Sequence, residues 1–137
     1  MRRFLPLFIV LTLLLVGLFL LLRNPSGETT MRKQQPDVTV EAAELYRQFV
    51  TDEAAANEQY LNKIIAVSGT VASVAKNSRG NVSVILHTDD PARGVKCRLD
   101  FRTHHPRIEF RKGENVTFKG VCTGYVGDVE LVQCVEN

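Results

Sequence analysis

Three histidines, three cysteines and a pair of adjacent aspartates are the residues of this 137-residue sequence with the widest chemical repertoire. His87, His104 and His105 are the only imidazoles. Adjacent histidines diverge on any regular element, and no cysteine or carboxylate stands beside them at metal-ligand spacing, so they read as solvated loop residues. Asp89-Asp90-Pro91 is turn chemistry, because aspartate bonds its own following backbone and proline fixes φ. The sequence offers no Ser-His-Asp order, nucleophile elbow, phosphate-cradling glycine loop or carboxylate pair of the raised-pKa kind. A catalytic role therefore has no support, and neither a metal nor another cofactor is expected. Cys97, Cys122 and Cys134 acquire chemistry only in an oxidising compartment, where disulfides persist.

The elements that must position these residues follow from hydrophobic spacing. Thr39 can cap a helix running from Glu41 to about Val50, with Leu45, Tyr46, Phe49 and Val50 on one face. Thr51 can cap a second, with Asp52 and Glu53 in its first turn and Ala54, Ala55 and Ala56 behind them. Both apolar stripes read as packing surfaces. From Lys63 the period becomes two: Ile65, Val67, Gly69 and Val71 alternate, and Val74 falls out of phase, so a bulge is expected near Ala72-Ser73. A turn at Asn77–Asn81 leads to Val82, Val84 and Leu86, and a second turn at Asp89–Gly94 leads to Val95, Cys97, Leu99 and Phe101. A connector, Thr103–Gly113, precedes a fourth strand through Val116, Phe118 and Gly120, and a fifth through Val129, Leu131, Val132 and Val135.

Five short strands with a bent first member fit a small closed barrel, the plan of an OB-fold, since closure removes exposed edges. Pattern alone leaves an SH3-like barrel or a small sandwich open as well. The fold class is therefore mainly β, with an N-terminal pair of short helices. Cys122 and Cys134 end the last two strands with eleven residues between them, and closing so short a loop stabilises by about 3 kcal/mol in the chain-entropy model. Simple hairpin register pairs Cys122 with about Glu130, so a twist or bulge is needed to form Cys122–Cys134, the candidate disulfide. Cys97–Cys134 is open too, because the third and fifth strands are neighbours in an OB barrel, as are three buried free thiols.

The overall composition conceals two different regions. Phe4 to Leu22 contains no charge, and as a helix it spans about 28 Å, the thickness of a bilayer's hydrocarbon core. Without it the 45% hydrophobic content falls to roughly 38%, and the net charge of +2 becomes about −1 from Asn24 onward, as in an ordinary soluble domain. Residues 1–23 are expected to form a signal anchor or transmembrane helix. Leu20–Pro25 offers no cleavage site of the usual small-residue type, although secretion after cleavage is the alternative. Arg2 and Arg3 favour a cytoplasmic N-terminus and an extracytoplasmic domain, while Arg23, Arg32 and Lys33 weigh the other way. Residues 24–37, with Pro25, Gly27 and Pro36, read as a flexible tether to a domain over 38–137.

Several stretches resemble the tRNA-anti-like OB-fold family of small bacterial proteins. They include Glu44-Leu45-Tyr46-x-x-Phe49, Asp52–Asn57, Lys63-x-Ile65-x-Val67-x-Gly69-x-Val71 and Gly94-Val95-x-Cys97. The most specific is Gly120-x-Cys122-x-Gly124-Tyr125-x-x-Asp128-Val129-x-Leu131-x-x-Cys134. The resemblance covers about 100 residues and implies an OB barrel with a helical extension, often behind a signal or lipoprotein segment, and no enzymatic activity. No cysteine lies near the end of the apolar run, so the lipid acceptor of many such proteins is missing and the helix itself would have to anchor the chain.

OB barrels bind across their second and third strands. The outward positions there are Ser83, Ile85 and His87, then Lys96, Arg98 and Asp100, flanked by Arg79 and Tyr125. The candidate binding face is accordingly Arg79, His87, Lys96, Arg98 and Tyr125. One aromatic and a near-neutral domain are a poor platform for single-stranded nucleic acid, which needs a cationic groove and stacking rings. The expectation is a membrane-anchored, non-catalytic module that binds an envelope protein or a small ligand; nucleic-acid binding is the alternative.

Overall fold

The computed structural model describes residues 12–18, 31–101 and 104–137. Of the apolar run Phe4–Leu22, residues 12–18 are helical and the remainder lies outside the described residues. No helix among the described residues is long and apolar enough to cross a membrane.

The first difference from the sequence expectation lies in residues 31–41. Met31–Lys33 forms a single 3-10 turn in which Met31 is buried, and Lys119 donates from Nζ to the carbonyl of Arg32 at 3.0 Å. Asp37 accepts the backbone N–H of Ile64 at 2.9 Å. Residues 31–37, expected within the tether, are thus packed on the domain. Strand β1 (Val38–Glu41) follows and pairs in parallel with the next strand at Ile65–Ser68. Thr39 therefore lies in a strand and caps nothing. The Val38-x-Val40 alternation turns both valines toward the core cluster, and that burial outweighs the capping preference of Thr39.

Helix α1 (Ala42–Thr51) starts after Glu41, whose side chain makes no capping bond. Ala42, Leu45, Tyr46 and Phe49 form its buried stripe at helical spacing. Asp52, rather than Thr51, caps α2 (Glu53–Tyr60), its carboxylate accepting Ala55 N–H at 3.1 Å. Helix α1 touches β1 and four walls of the barrel, placing its aromatic stripe over one end. Tyr46 donates to Asp90 at 3.2 Å, and Arg47 bonds Asp89, so the turn over residues 88–93 clamps the helix from outside. Burial, together with bonds to Tyr125 and Asp90, pushes the Tyr46 hydroxyl up to about 12.

The barrel itself consists of β2 (Ile64–Lys76), β3 (Val82–His87), β4 (Gly94–Leu99), β5 (Asn115–Val126) and β6 (Asp128–Glu136). Its order is β2-β3-β4-β6-β5, closed by pairing of β5 back onto β2. The first half of β2 is flanked by β5 and β1, and its second half by β3. The change of partner coincides with a register shift between Val71 and Ser73, at the bulge expected from the phase slip. Val67, Val71, Val84, Leu86, Val95, Phe118, Val129 and Leu131 fill the interior.

The connector from Asp100 to Glu114 has no regular structure among its described residues, yet it is firmly held. Phe110 meets Phe118 edge-on at 5.3 Å between centroids, and the Arg107 guanidinium lies 4.6 Å above the Phe110 ring. Arg107 also donates from Nε to Glu136 at 2.9 Å and pairs with Glu114. The backbone N–H of Arg111 and the guanidinium of Arg107 hold the Glu114 carboxyl below the usual glutamate range.

Candidate binding face and thiol cluster

Strands β3 and β4 pair antiparallel, with Ser83 opposite Arg98, Ile85 opposite Lys96 and His87 opposite Gly94. Val84, Leu86, Val95 and Cys97 point inward, so the alternating positions Ser83, Ile85, Lys96 and Arg98 form the outer surface. Arg98 is exposed there, and Ser83, Ile85 and Lys96 are half-buried. Glu130, in register with Lys96 on β6, stands beside both cations, 3.7 Å from Lys96 Nζ and 3.3 Å from Arg98 Nη2. One carboxylate thus offsets one of the two positive charges that β4 presents there.

The other three predicted residues sit elsewhere. His87 ends β3 and lines a hollow of about 620 Å³ with the start of α1 and the strand segments Ser68–Thr70 and Asn115–Thr117. Arg79 lies in the β2–β3 turn, whereas Tyr125 belongs to the opposite end of the barrel, where its ring meets Tyr46 at 6.1 Å and Phe49 at 6.3 Å. A register shift between Cys122 and Gly124 changes the strand's phase and turns Tyr125 toward α1. Tyr125 is therefore packing, and β3–β4 carries no aromatic.

Two features escaped the sequence reading. Glu130 was legible in principle, since it occupies the same outward phase as Asp128 on the strand next to β4. The second has no periodic signal: two adjoining clefts of about 920 and 520 Å³ run along the connector and share Val82, Arg107 and Ile108. Lys76 and Arg111 line the larger, and Arg79, His104 and Phe101, 74% exposed, line the smaller.

Cys97, Cys122 and Cys134 are all buried and all present as free thiols. Cys122 stands opposite Leu131, one residue from its expected partner, and no twist brings it to Cys134. Cys134 instead lies across the β4–β6 seam, opposite Leu99 and two residues along β4 from Cys97; burial first, and the neighbouring Cys97 thiol second, push its thiol well above the ordinary range. No group of histidine, cysteine and carboxylate side chains able to hold a metal occurs among the described residues.

A five-stranded barrel closed in the order β2-β3-β4-β6-β5, with one parallel contact between β4 and β6, defines an OB-fold protein. Within that class the chain belongs to the tRNA_anti-like family, whose model matches residues 1–136. Among solved structures it is similar to a protein from Klebsiella pneumoniae subsp. pneumoniae described as a putative nucleic acid-binding lipoprotein. That likeness has a TM-score of 0.56 at 18% identity and covers 81% of this chain and 98% of the other. No curated protein matches the chain.

Proposed function

We propose that this chain is a membrane-anchored, non-catalytic OB-fold binding module of the cell envelope, held outside the cytoplasm by a helix over Phe4–Leu22. The observation that carries the binding role is the β3–β4 surface. It is the surface OB barrels use, it reaches solvent at Arg98, and its Lys96–Glu130–Arg98 cluster presents two cations and a carboxylate together. Such a mixed patch suits an envelope protein with complementary polar groups, or a small polar ligand, better than a uniformly anionic polymer. The apolar run Phe4–Leu22 and the lipoprotein description of the Klebsiella structure support an envelope location. With no cysteine after that run to accept a lipid, the proposed anchor is the apolar run itself.

A second reading, single-stranded nucleic-acid binding, is favoured by the description of that same structure and by one local feature. Phe101, Arg79 and His104 line one cleft, which supplies the exposed ring and the cation that β3–β4 lacks as a pair. Titration of the detergent-solubilised chain with single-stranded oligonucleotides at two salt concentrations separates the readings. The proposed function predicts no saturable binding at low salt. Tight binding that weakens steeply with salt moves the assignment to nucleic acid.

A further inference from the structure

The strongest unused chemistry in the barrel is the pair of thiols between β4 and β6. These strands run parallel, with Cys97 opposite Leu131 and Leu99 opposite Cys134. Two steps along β4 therefore match three along β6, and the extra residue is accommodated at Gln133, exposed and in the left-handed region at φ 55°. The bulge resets the alternation, so that both Leu131 and Cys134 face the interior on the same side as Cys97. Space for the second sulfur comes from Gly120 on β5: a Cβ there would lie 2.5 Å from Cys134 Sγ. Bulge and glycine together seat Cys134 in the interior, diagonally across the β4–β6 seam from Cys97, whereas Cys122 stands opposite Leu131 on the other seam of β6.

We infer that Cys97 and Cys134 are joined as a structural disulfide in the mature protein, with Cys122 left as its single free thiol. This rests on the extracytoplasmic placement proposed above, because only an oxidising compartment sustains such a bond. The oxidant is a disulfide of the thiol-oxidising machinery of that compartment. One cysteine thiolate attacks it, forming a mixed disulfide and releasing one thiol. The second cysteine then displaces the other sulfur, and its partner leaves as the second thiol. Two electrons and two protons pass from the cysteines to the oxidant. Both sulfurs are fully shielded in the closed barrel, so exchange occurs while the chain is folding, before β6 docks on β4. Once closed, the bond is shielded from reduction and ties one strand of the binding face to the strand that bears Glu130.

The test is thiol mapping of the full chain, isolated from its native membranes and, separately, refolded in detergent with a glutathione redox buffer. Denaturation under non-reducing conditions with an alkylating reagent, then proteolysis after Glu130, separates Cys122 from Cys134. The expected result in both samples is alkylation of Cys122 alone and a linked pair of peptides containing Cys97 and Cys134. The full chain is also expected to melt roughly 10 °C or more higher oxidised than reduced. Three alkylated thiols in both samples, or any bridge containing Cys122, overturns the inference itself. A bridge formed on refolding but absent from native membranes overturns it together with the extracytoplasmic placement; activity of a cytoplasm-only reporter fused to the C-terminus then shows the domain to be cytoplasmic.

Discussion

Phe49→Ala is expected to lower the unfolding free energy by about 3–5 kcal/mol, the usual cost of deleting a buried ring. Phe49 is 1% exposed and is the residue through which α1 closes the barrel end, with Tyr60 at 6.0 Å on one side and Tyr125 at 6.3 Å on the other. The neighbours cannot collapse into the vacated space. Tyr60 is tied by its hydroxyl to Gln48 at 2.7 Å, and Tyr125 packs edge-on against Tyr46, which is itself bonded to Asp90. A domain of this size has a total stability of only about 5–15 kcal/mol, so the loss is a large fraction of the whole. Denaturant unfolding of the chain in detergent measures it as a lower midpoint at unchanged slope. A loss below about 1 kcal/mol would show that α1 is dispensable to the barrel rather than its plug.

The second large effect comes from adding atoms. Gly120→Ala introduces a methyl group 2.5 Å from Cys134 Sγ and 2.8 Å from the carbonyl oxygen of Val132. A side chain could rotate away from the first contact, but the second is backbone, so β6 must shift relative to β5. The expected cost lies at the upper end of the roughly 1–3 kcal/mol seen for overpacked cores. Adding Cys134→Ala relieves only the sulfur contact. The double variant is therefore expected to lose less than the sum of the single losses, by at least about 0.5 kcal/mol. Strict additivity in the same unfolding measurement would mean that Cys134 is not seated against Gly120.

Much of this architecture was legible from period alone. The switch to alternation at Lys63 marked the barrel's start, and the slip at Ala72-Ser73 located the bulge where β2 changes partner, because burial of one face fixes strand phase. What escaped depended on tertiary context. Residues 31–37 look like linker because one buried methionine and one lysine–carbonyl bond leave no periodic trace. β1 has too few residues to establish a pattern and draws its stability from Ile65–Ser68. At the candidate face, Lys96 and Arg98 were read correctly as outward neighbours, but the bulge near Gly124 reversed the phase of Tyr125, and Glu130 became visible only once β6 lay beside β4. For the cysteines, spacing along the chain suggested the nearest pair, whereas the bulge at Gln133 turns Cys134 to the same interior face as Cys97.

The central claim, that the outer surface of β3–β4 is where this module meets its partner, is tested most directly by photo-crosslinking in native membranes. A photoreactive residue is placed singly at Ser83 and at Arg98 on that surface, and at Glu58 on exposed α2 as the control. The account predicts one discrete adduct of the same mass from Ser83 and Arg98 and none from Glu58. An adduct from Glu58 alone, equal adducts from all three positions, or none at Ser83 and Arg98 would contradict it.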